Sequence, residues 1–522
     1  MCNLRFIEVG TMWNEVLLPK NFEFCAQALR CLYLYNYPLE SLPLNFWPKN
    51  LVELHMTSSK LIKLWNGGDK PLGSLKLMDL SYSCNLIRIP DLSSIAPNLE
   101  FLYLNGCESL VEIPSLQNLS NLVELRMRGS KLIQLWNGGD KPLENLKLMD
   151  LSYSHRLIRI PNLSSIAPNL EFLYLEGCKS LVEIPSLQNL SKLTELYLNG
   201  SNKIKDCPEI PCNIRILKLD GTGIEQLPSS IKHLSQLVIL SLYYCTALES
   251  LPSSIGELKC LEYLSLWTCS NLASLPESIK QLSKLKKLHL SDCESLKSLP
   301  ELPSCLELLN ANACRSLESA SISFNFLEHD DENEEADRSE HENEEAHKSE
   351  SEDCKFLDFS NCGKLNKKVM EDVFEAHLLG QKVTLLMAGG EVPERMRYKN
   401  KGSSLSFKLD LRHVIAFSFC VVLRPICESG NRRERNAFNL FGDKDLANWN
   451  GYYGGPYLSD LSHVLLSFNG LRTRFVEECF VKASFCFIDN RLLDRPEIME
   501  CGVHPIYRRD KRRSRNEKHQ DD

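Results

Sequence analysis

No apolar stretch in this chain reaches the roughly 20 residues that a membrane-spanning helix requires. The longest, Val414 to Leu423, runs ten residues and is interrupted by serine. Met1 to Phe6 does not lead into an apolar segment with a small-residue cleavage site, so no export signal is expected. The 21 cysteines are then expected to remain thiols in a reducing cytosol. No GxxxxGK(S/T) motif occurs, which removes the backbone nest and lysine that would cradle a triphosphate. A serine elbow with His and Asp, a Cys–His dyad at recognisable spacing and paired carboxylates in a predicted cleft are also missing, so an enzyme is not expected.

A basic surplus is absent too. The 522 residues carry 60 Lys and Arg against 68 Asp and Glu, a net charge of -8. Residues 328–353 alone hold 14 acidic and two basic side chains, which leaves the rest of the chain at +4. Neither an acidic protein throughout nor a nucleic-acid sleeve fits this balance, and no nucleic-acid partner is expected. With 43% hydrophobic residues the chain has the means to bury a core.

What is present is a repeat. The template LxxLxLxxC begins at Leu4, Leu29, Leu51, Leu75, Leu99, Leu122, Leu146, Leu170, Leu193, Ile214, Leu237, Leu261, Leu285 and Leu306, at spacings of 21 to 25 residues. A further copy resumes at Cys354 with Leu357, Phe359 and Cys362. This period is that of leucine-rich repeats. The predicted fold is an α/β leucine-rich-repeat solenoid, a horseshoe with a parallel sheet on its concave side. In Leu261 to Cys269, Leu261, Leu264 and Leu266 face inward while Tyr263, Ser265 and Trp267 alternate outward. Pro228, Pro252 and Pro276 end the strand segment and start the return arm. A duplication offset by 71 residues repeats Lys60 to Asp69 as Lys131 to Asp140 and runs on through Leu122 and Leu193. Cys107, Cys178, Cys245, Cys269, Cys293, Cys314 and Cys362 all fill the last template position. They are expected to be small buried thiols that fit the turn, since 24-residue spacing does not make a zinc claw.

The acidic run, residues 328–353, is expected to be a solvated insertion. Its His329, His341 and His347 lie among carboxylates, but HENEEAH lacks the HExxH spacing, and neither metal nor cofactor is expected. Beyond a last repeat and helical connector at 354–380, with Val369, Val373, Phe374 and His377 on one side, the period changes to two. Leu405, Phe407, Leu409 and Leu411 alternate with polar residues, as do Val464, Leu466 and Phe468, and Val481, Ala483, Phe485 and Phe487. With Val383 to Met387, His413 to Leu423 and Cys501 to Tyr507 these strands predict a small antiparallel β-sandwich over 381–507. The basic cluster Arg508 to Arg515, in the tail 508–522, reads either as a nuclear-import signal or as a solvated terminus.

These residues support a resemblance. Leu29 to Pro43, Asn50 to Leu54, Lys60 to Trp65 and Gly106 to Pro114 closely resemble the repeats of plant TIR-type nucleotide-binding leucine-rich-repeat disease resistance receptors. Gly390 to Glu394, Gly402 to Ser406 and Glu500 to His504 are similar to that family's jelly-roll or Ig-like domain after the repeats. Arg395 stands where an aromatic residue commonly follows the EVPE-like motif. The resemblance implies recognition of a pathogen effector, a guarded host protein or a full-length receptor. In departure from that family, the nucleotide-binding module is not expected, since no GxxxxGK(S/T) occurs, nor a TIR domain, since no room for one precedes Leu4. A cytoplasmic location, or a nuclear one if the basic cluster is read, goes with the resemblance.

The outward strand positions are the predicted contact residues, because exposed Tyr, Trp and Arg are the usual interface anchors. They are Tyr33, His55, Tyr103, Arg126, Arg128, Tyr174, Tyr197, Lys218, Tyr243, Trp267 and His289. On the C-terminal domain, the loops Val392 to Gly402 and Asn448 to Tyr457 add Glu394, Arg395, Arg397, Trp449, Tyr452 and Tyr453. The competing reading is an intracellular repeat adaptor, such as a ubiquitin-ligase substrate receptor. It would need an F-box-like helical segment that Met1 to Ala28 does not supply.

Overall fold

The computed structural model describes residues 4–10, 27–43, 46–65, 71–111, 113–114, 116, 118–135, 142–322, 355–411, 413–424, 435–436, 438–441, 453–454, 461–470, 478–487 and 497–507. The chain divides into two compact units, residues 1–264 and 265–522. The acidic run, the basic tail, Trp449, Tyr452 and residues 11–26 lie outside the described residues.

In the first unit the leucine template dictates the path. Short strands recur once per coil: β1 (Phe6–Val9), β2 (Cys31–Leu34), β3 (Glu53–His55), β4 (Leu77–Asp79), β5 (Phe101–Tyr103), β6 (Glu124–Arg126), β7 (Leu148–Asp150), β8 (Phe172–Tyr174), β9 (Glu195–Tyr197), β10 (Ile216–Lys218) and β11 (Ile239–Ser241). Each pairs in parallel with the next, in unbroken register. The central residues Leu32, Leu54, Met78, Leu102, Leu125, Met149, Leu173, Leu196, Leu217 and Leu240 therefore form one column, all fully buried. The strand β12 (Tyr263–Ser265) falls at the division between units.

The return arms carry little helix. Two are single α-helical turns, α1 (Leu92–Ile95) and α2 (Leu163–Ile166), with Asp91 and Asn162 accepting from the backbone N–H groups of Ser93 and Ser164. Ser229–His233 and Ser253–Glu257 are 3-10 turns that start directly after Pro228 and Pro252. A coil of 21 to 25 residues that spends part of its length on strand and closure leaves room for one turn only. Leu92, Ile95, Ile231 and Ile255 point that turn into the core.

The last template position has a specific task. After Tyr37 in the coil that begins at Leu29, it reads Ser59, Ser83, Cys107, Ser130, Ser154, Cys178, Ser201, Thr222 and Cys245, every one a small hydrogen-bond donor. Cys107 Sγ donates to the Leu80 carbonyl at 3.2 Å, Cys178 to Leu151 at 3.3 Å and Cys245 to Leu219 at 3.1 Å. Ser201 Oγ does the same to Leu175 at 3.0 Å. A buried carbonyl of the preceding coil is thereby satisfied. Burial pushes the Cys107 and Cys178 thiols up to about 12, which keeps them protonated as donors.

The second unit starts with the same coil. Strands β13 (Lys287–His289), β14 (Ser298–Leu299), β15 (Leu308–Asn310), β16 (Ser319–Ala320) and β17 (Lys355–Phe359) precede α3 (Lys368–Leu378). β13, β15 and β17 stack in parallel, and β14 pairs separately with β16. Glu277–Gln281 is again a 3-10 turn after proline. Cys293, Cys314 and Cys362 repeat the thiol-to-carbonyl bond at 3.0 to 3.1 Å.

The parallel ladder then becomes antiparallel through one strand, β18 (Val383–Ala388). It runs parallel to β17 and antiparallel to β25 (His463–Gly470). The sheet continues from β25 to β21 (Val414–Arg424), β27 (Glu497–Tyr507) and β19 (Tyr398–Lys401). A second antiparallel sheet joins β20 (Ser404–Asp410), β26 (Glu478–Phe487) and β23 (Phe438–Phe441). β22 (Arg435–Asn436) pairs with β24 (Tyr453–Gly454). Alternate residues of the two sheets meet in one core, among them Phe407, Leu409, Phe417, Phe419, Val421, Val481 and Phe485.

Helix α3 covers the other face of the larger sheet with Val369, Val373, Phe374 and His377 buried, the side the sequence periodicity picked out. His377 is fully buried. Its Nδ1 lies 2.7 Å from Ser418 Oγ and its Nε2 lies 2.8 Å from the Val383 carbonyl. The carbonyl can only accept, so Nε2 carries the proton and Nδ1 accepts from Ser418. Burial lowers this imidazole to about 4.

Candidate interaction surface

Strand alternation leaves the residues on either side of the buried leucine facing out. The register sets Tyr33, His55, Asp79, Tyr103, Arg126, Asp150, Tyr174, Tyr197, Lys218 and Ser241 side by side in one column. Neighbouring strands in a sheet lie about 4.8 Å apart, so adjacent members are in contact. Asp150 and Ser241 are buried in spite of their outward position. Arg128 and Tyr243 stand two residues further along their coils and are exposed. Trp267 and His289 belong to the second unit. Trp267 is 40% exposed and its Nε1 donates to Asp292 at 3.1 Å. Burial, with Lys287 nearby, lowers the His289 imidazole.

The column is organised by carboxylates that the sequence reading passed over. Glu53, Glu124 and Glu195 occupy the first outward position of their strands, opposite the tyrosine column. Tyr33 OH donates to Glu53 at 2.7 Å, Tyr103 OH to Glu124 at 3.1 Å and Tyr174 OH to Glu195 at 3.0 Å. These three pairs recur every third coil. The same period-two alternation that marked the tyrosines also marks these glutamates. The choice of aromatic and basic anchors alone left them out.

Around the pairs the rings pack on one another and on cations. Tyr33 stacks on His55 with centroids 4.2 Å apart, and Tyr174 tilts against Tyr197 at 4.7 Å. Arg126 lies over Tyr103 at 5.7 Å and binds Glu124 through Nε and Nη2, both at 3.1 Å. Lys218 sits over Tyr197 at 4.5 Å, and Arg128 over Tyr153 at 4.6 Å. Burial and then Glu124 push the Tyr103 phenol up to about 12, and burial and then Glu195 push Tyr197 to the same value. The Glu53 hydrogen bond raises Tyr33 foremost, while burial leads for Tyr174. Burial opposes ionisation of Asp79, but bonds from His55 and Ser81 outweigh it and hold the carboxyl low. Long side chains held by such bonds lose less freedom when a partner docks.

A second exposed feature was not picked out in the sequence. Ile87, Val111, Ile133, Ile158 and Val182, each about half exposed, succeed one another in consecutive coils. Backbone bonds tie them together, from Ile158 N to the Ile133 carbonyl at 2.9 Å and from Val182 N to the Ile158 carbonyl at 3.2 Å.

On the C-terminal block the loop arginines hold the loop in place. Arg395 pairs with Glu375 of α3 and covers the Phe374 ring at 5.6 Å, while its carbonyl lies 3.1 Å from His504 Nδ1. Arg397 Nη1 donates to Tyr507 OH at 2.9 Å. Glu394 is exposed. Tyr453 lies in β24, opposite Asn436.

A family model described as leucine-rich repeat region matches residues 152–291 and 212–332, and one described as Leucine Rich Repeat matches 121–138. Curated relatives come from Arabidopsis thaliana. Disease resistance protein RPS6 is 32% identical over 320 residues, 47% of this chain and 28% of the relative. Disease resistance protein RML1A is 29% identical over 533 residues, covering 98% of this chain and 44% of the relative. Disease resistance protein RML1B is 32% identical over 429 residues, 81% of this chain and 34% of the relative. The chain thus spans less than half the length of these relatives. No helix among the described residues is long and apolar enough to cross a membrane.

Proposed function

We propose that this chain, which belongs with the leucine-rich-repeat part of the plant disease resistance proteins, is a defence protein that works by binding another protein through the outward column of its first unit. The observation that carries this reading is the recurring Tyr–Glu pair with its stacked rings and cations, a surface of pre-set anchors rather than a cleft. A pathogen effector, a guarded host protein or a full-length receptor is the partner class. Binding, not catalysis, is the task. On this reading residues 1–327 form the contact module, with 354–380 as its last repeat and connector. The region 381–507 is a jelly-roll or Ig-like domain adding the Val392 to Gly402 loop, and residues 328–353 and 508–522 are the acidic insertion and basic tail. The place of action is the cytoplasm, or the nucleus if the tail serves as an import signal.

Expression in leaves challenged with a pathogen tests the reading. The wild-type chain should change pathogen growth and be recovered with a partner. A variant with Tyr33, Tyr103 and Tyr174 all changed to Ala should lose both effects while keeping its circular dichroism. Retention of both by the folded variant would refute it.

A further inference from the structure

The two copies of the duplication can be compared position by position. Residues 60–130 and 131–201 agree at 58 of 71 positions. Three of the 13 differences fall on the outward face of the paired coils: Asn105 against Glu176, Arg126 against Tyr197, and Arg128 against Asn199. All three shift charge the same way, and together they make the second face more acidic by three charges. The other ten differences sum to a shift of +3, so each copy is neutral as a whole. The acidity is therefore confined to the outward face.

The Tyr–Glu pair is identical in the two copies, with hydroxyl-to-carboxylate distances of 3.1 and 3.0 Å. In the first copy Arg126 fills the place beside it, doubly bonded to Glu124 and lying over Tyr103. In the second copy Tyr197 occupies that position and, like Tyr174, bonds to Glu195, which makes no ion pair among the described residues. The nearby Lys218 lies over the far ring, that of Tyr197. Two buried acceptors of the same face have no hydrogen-bond partner among the described residues: Ser152 Oγ, on a residue only 1% exposed and one coil before Glu176, and Asn199 Oδ1. In the first copy the residue equivalent to Ser152, Ser81, accepts from the Asn105 backbone N–H at 3.3 Å. A face with a carboxylate, two phenol rings and orphaned acceptors is complementary to a planar cation with several N–H donors.

We propose that the face formed by Ser152, Tyr174, Glu176, Glu195, Tyr197 and Asn199 is a subsite for an arginine side chain of the partner protein, held as the first copy holds its own Arg126. The inference rests on the reading of the outward column as a protein-contact surface and specifies the chemistry of what docks there. Burial and the Glu195 carboxylate keep both phenols protonated, so they face the guanidinium as neutral rings.

The test uses the full chain and a fluorescein-labelled Gly/Ser peptide carrying two arginines, against the same peptide with citrulline, which keeps the shape and removes the charge. Polarisation should show the arginine peptide binding about tenfold or more tightly than the citrulline peptide. Tyr197→Arg, which recreates the self-filled arrangement, should weaken binding about tenfold. Combining Asn105→Glu, Arg126→Tyr and Arg128→Asn should open a second site and raise the calorimetric stoichiometry from one to two peptides. Equal binding of the citrulline peptide, no binding at millimolar peptide, or undiminished binding in a folded Tyr197→Arg protein would overturn the proposal. The last of these would mean adsorption to the acidic run at 328–353. If the subsite fails in this way while the triple tyrosine variant still loses its partner in leaves, only the arginine assignment falls.

Discussion

The coils of the first unit and the C-terminal block bury similar side chains by opposite means. In the coils, each leucine meets the coil before and the coil after, and closing residues such as Cys107, Ser201 and Cys245 reach one carbonyl of the preceding coil. In the block, strands far apart in sequence pair, as Phe419 does with Ser467 and Val503, and one imidazole ties helix to sheet. Nearest-neighbour stability lets a repeat array accept a three-coil insertion and then diverge on its outward face without loss of fold. The block lacks that nearest-neighbour layout, because its pairings join strands distant in sequence. This contrast fits the presence of the duplication in the coils.

The largest expected effects break the contrast directly. Phe419→Ala should cost about 3 to 5 kcal/mol and release the whole block at once, whereas Leu196→Ala, at about 2 to 5 kcal/mol, should loosen mainly the coils next to it. Hydrogen exchange read by mass spectrometry checks both. Loss of protection across all coils in the second variant would show that the array behaves as one unit.

Acid should separate the regions next. The folded His377 imidazole lies near 4 against 6.5 when unfolded, so the unfolded state binds the extra proton first. Its contribution is complete above about pH 6.5 and is lost progressively as pH falls towards 4, by about 3 kcal/mol from this residue. Burial also lowers His463, in the same block, to about 4. Proteolysis between pH 7 and 4.5 should therefore open the block before the first unit, and His377→Gln should flatten that dependence.

Smaller changes sharpen the account of the coils. Cys178→Val removes the bond to the Leu151 carbonyl and should cost about 1 to 2 kcal/mol in chemical unfolding, while Cys178→Ser should come within about 0.5 kcal/mol of wild type. Equal losses from both would show that thiol packing, not donation, matters there. Least of all, Tyr174→Phe should alter stability by less than about 0.5 kcal/mol, since its bond to Glu195 lies on a half-exposed face.

Much of this was legible in the leucines. A template of buried positions fixes strand, inward column and outward column together, so Leu196 and Tyr197 could be assigned from spacing alone. Proline placed the arms correctly, but their one-turn length follows from the residues left over in each coil. Alternation found the long strands of the block and the buried face of α3. It could not tell that β18 has a parallel neighbour on one side and an antiparallel one on the other, because both pairings demand the same apolar pattern. The two-residue strands Arg435–Asn436 and Tyr453–Gly454 are too short to show any period. On the candidate surface the tyrosines and arginines stood out by type. The glutamates that hold them, and the orphaned Ser152 Oγ and Asn199 Oδ1, became visible only through distances.

Two surfaces of the first unit compete to be the place of contact, the Tyr–Glu column and the apolar succession from Ile87 to Val182. A photo-crosslinking amino acid placed in turn at positions 103, 197, 158 and 182, in the chain expressed in challenged leaves, decides between them. Covalent adducts with another protein at 103 and 197, and none at 158 and 182, are predicted. Adducts confined to 158 and 182 would contradict the claim that the outward strand column receives the partner.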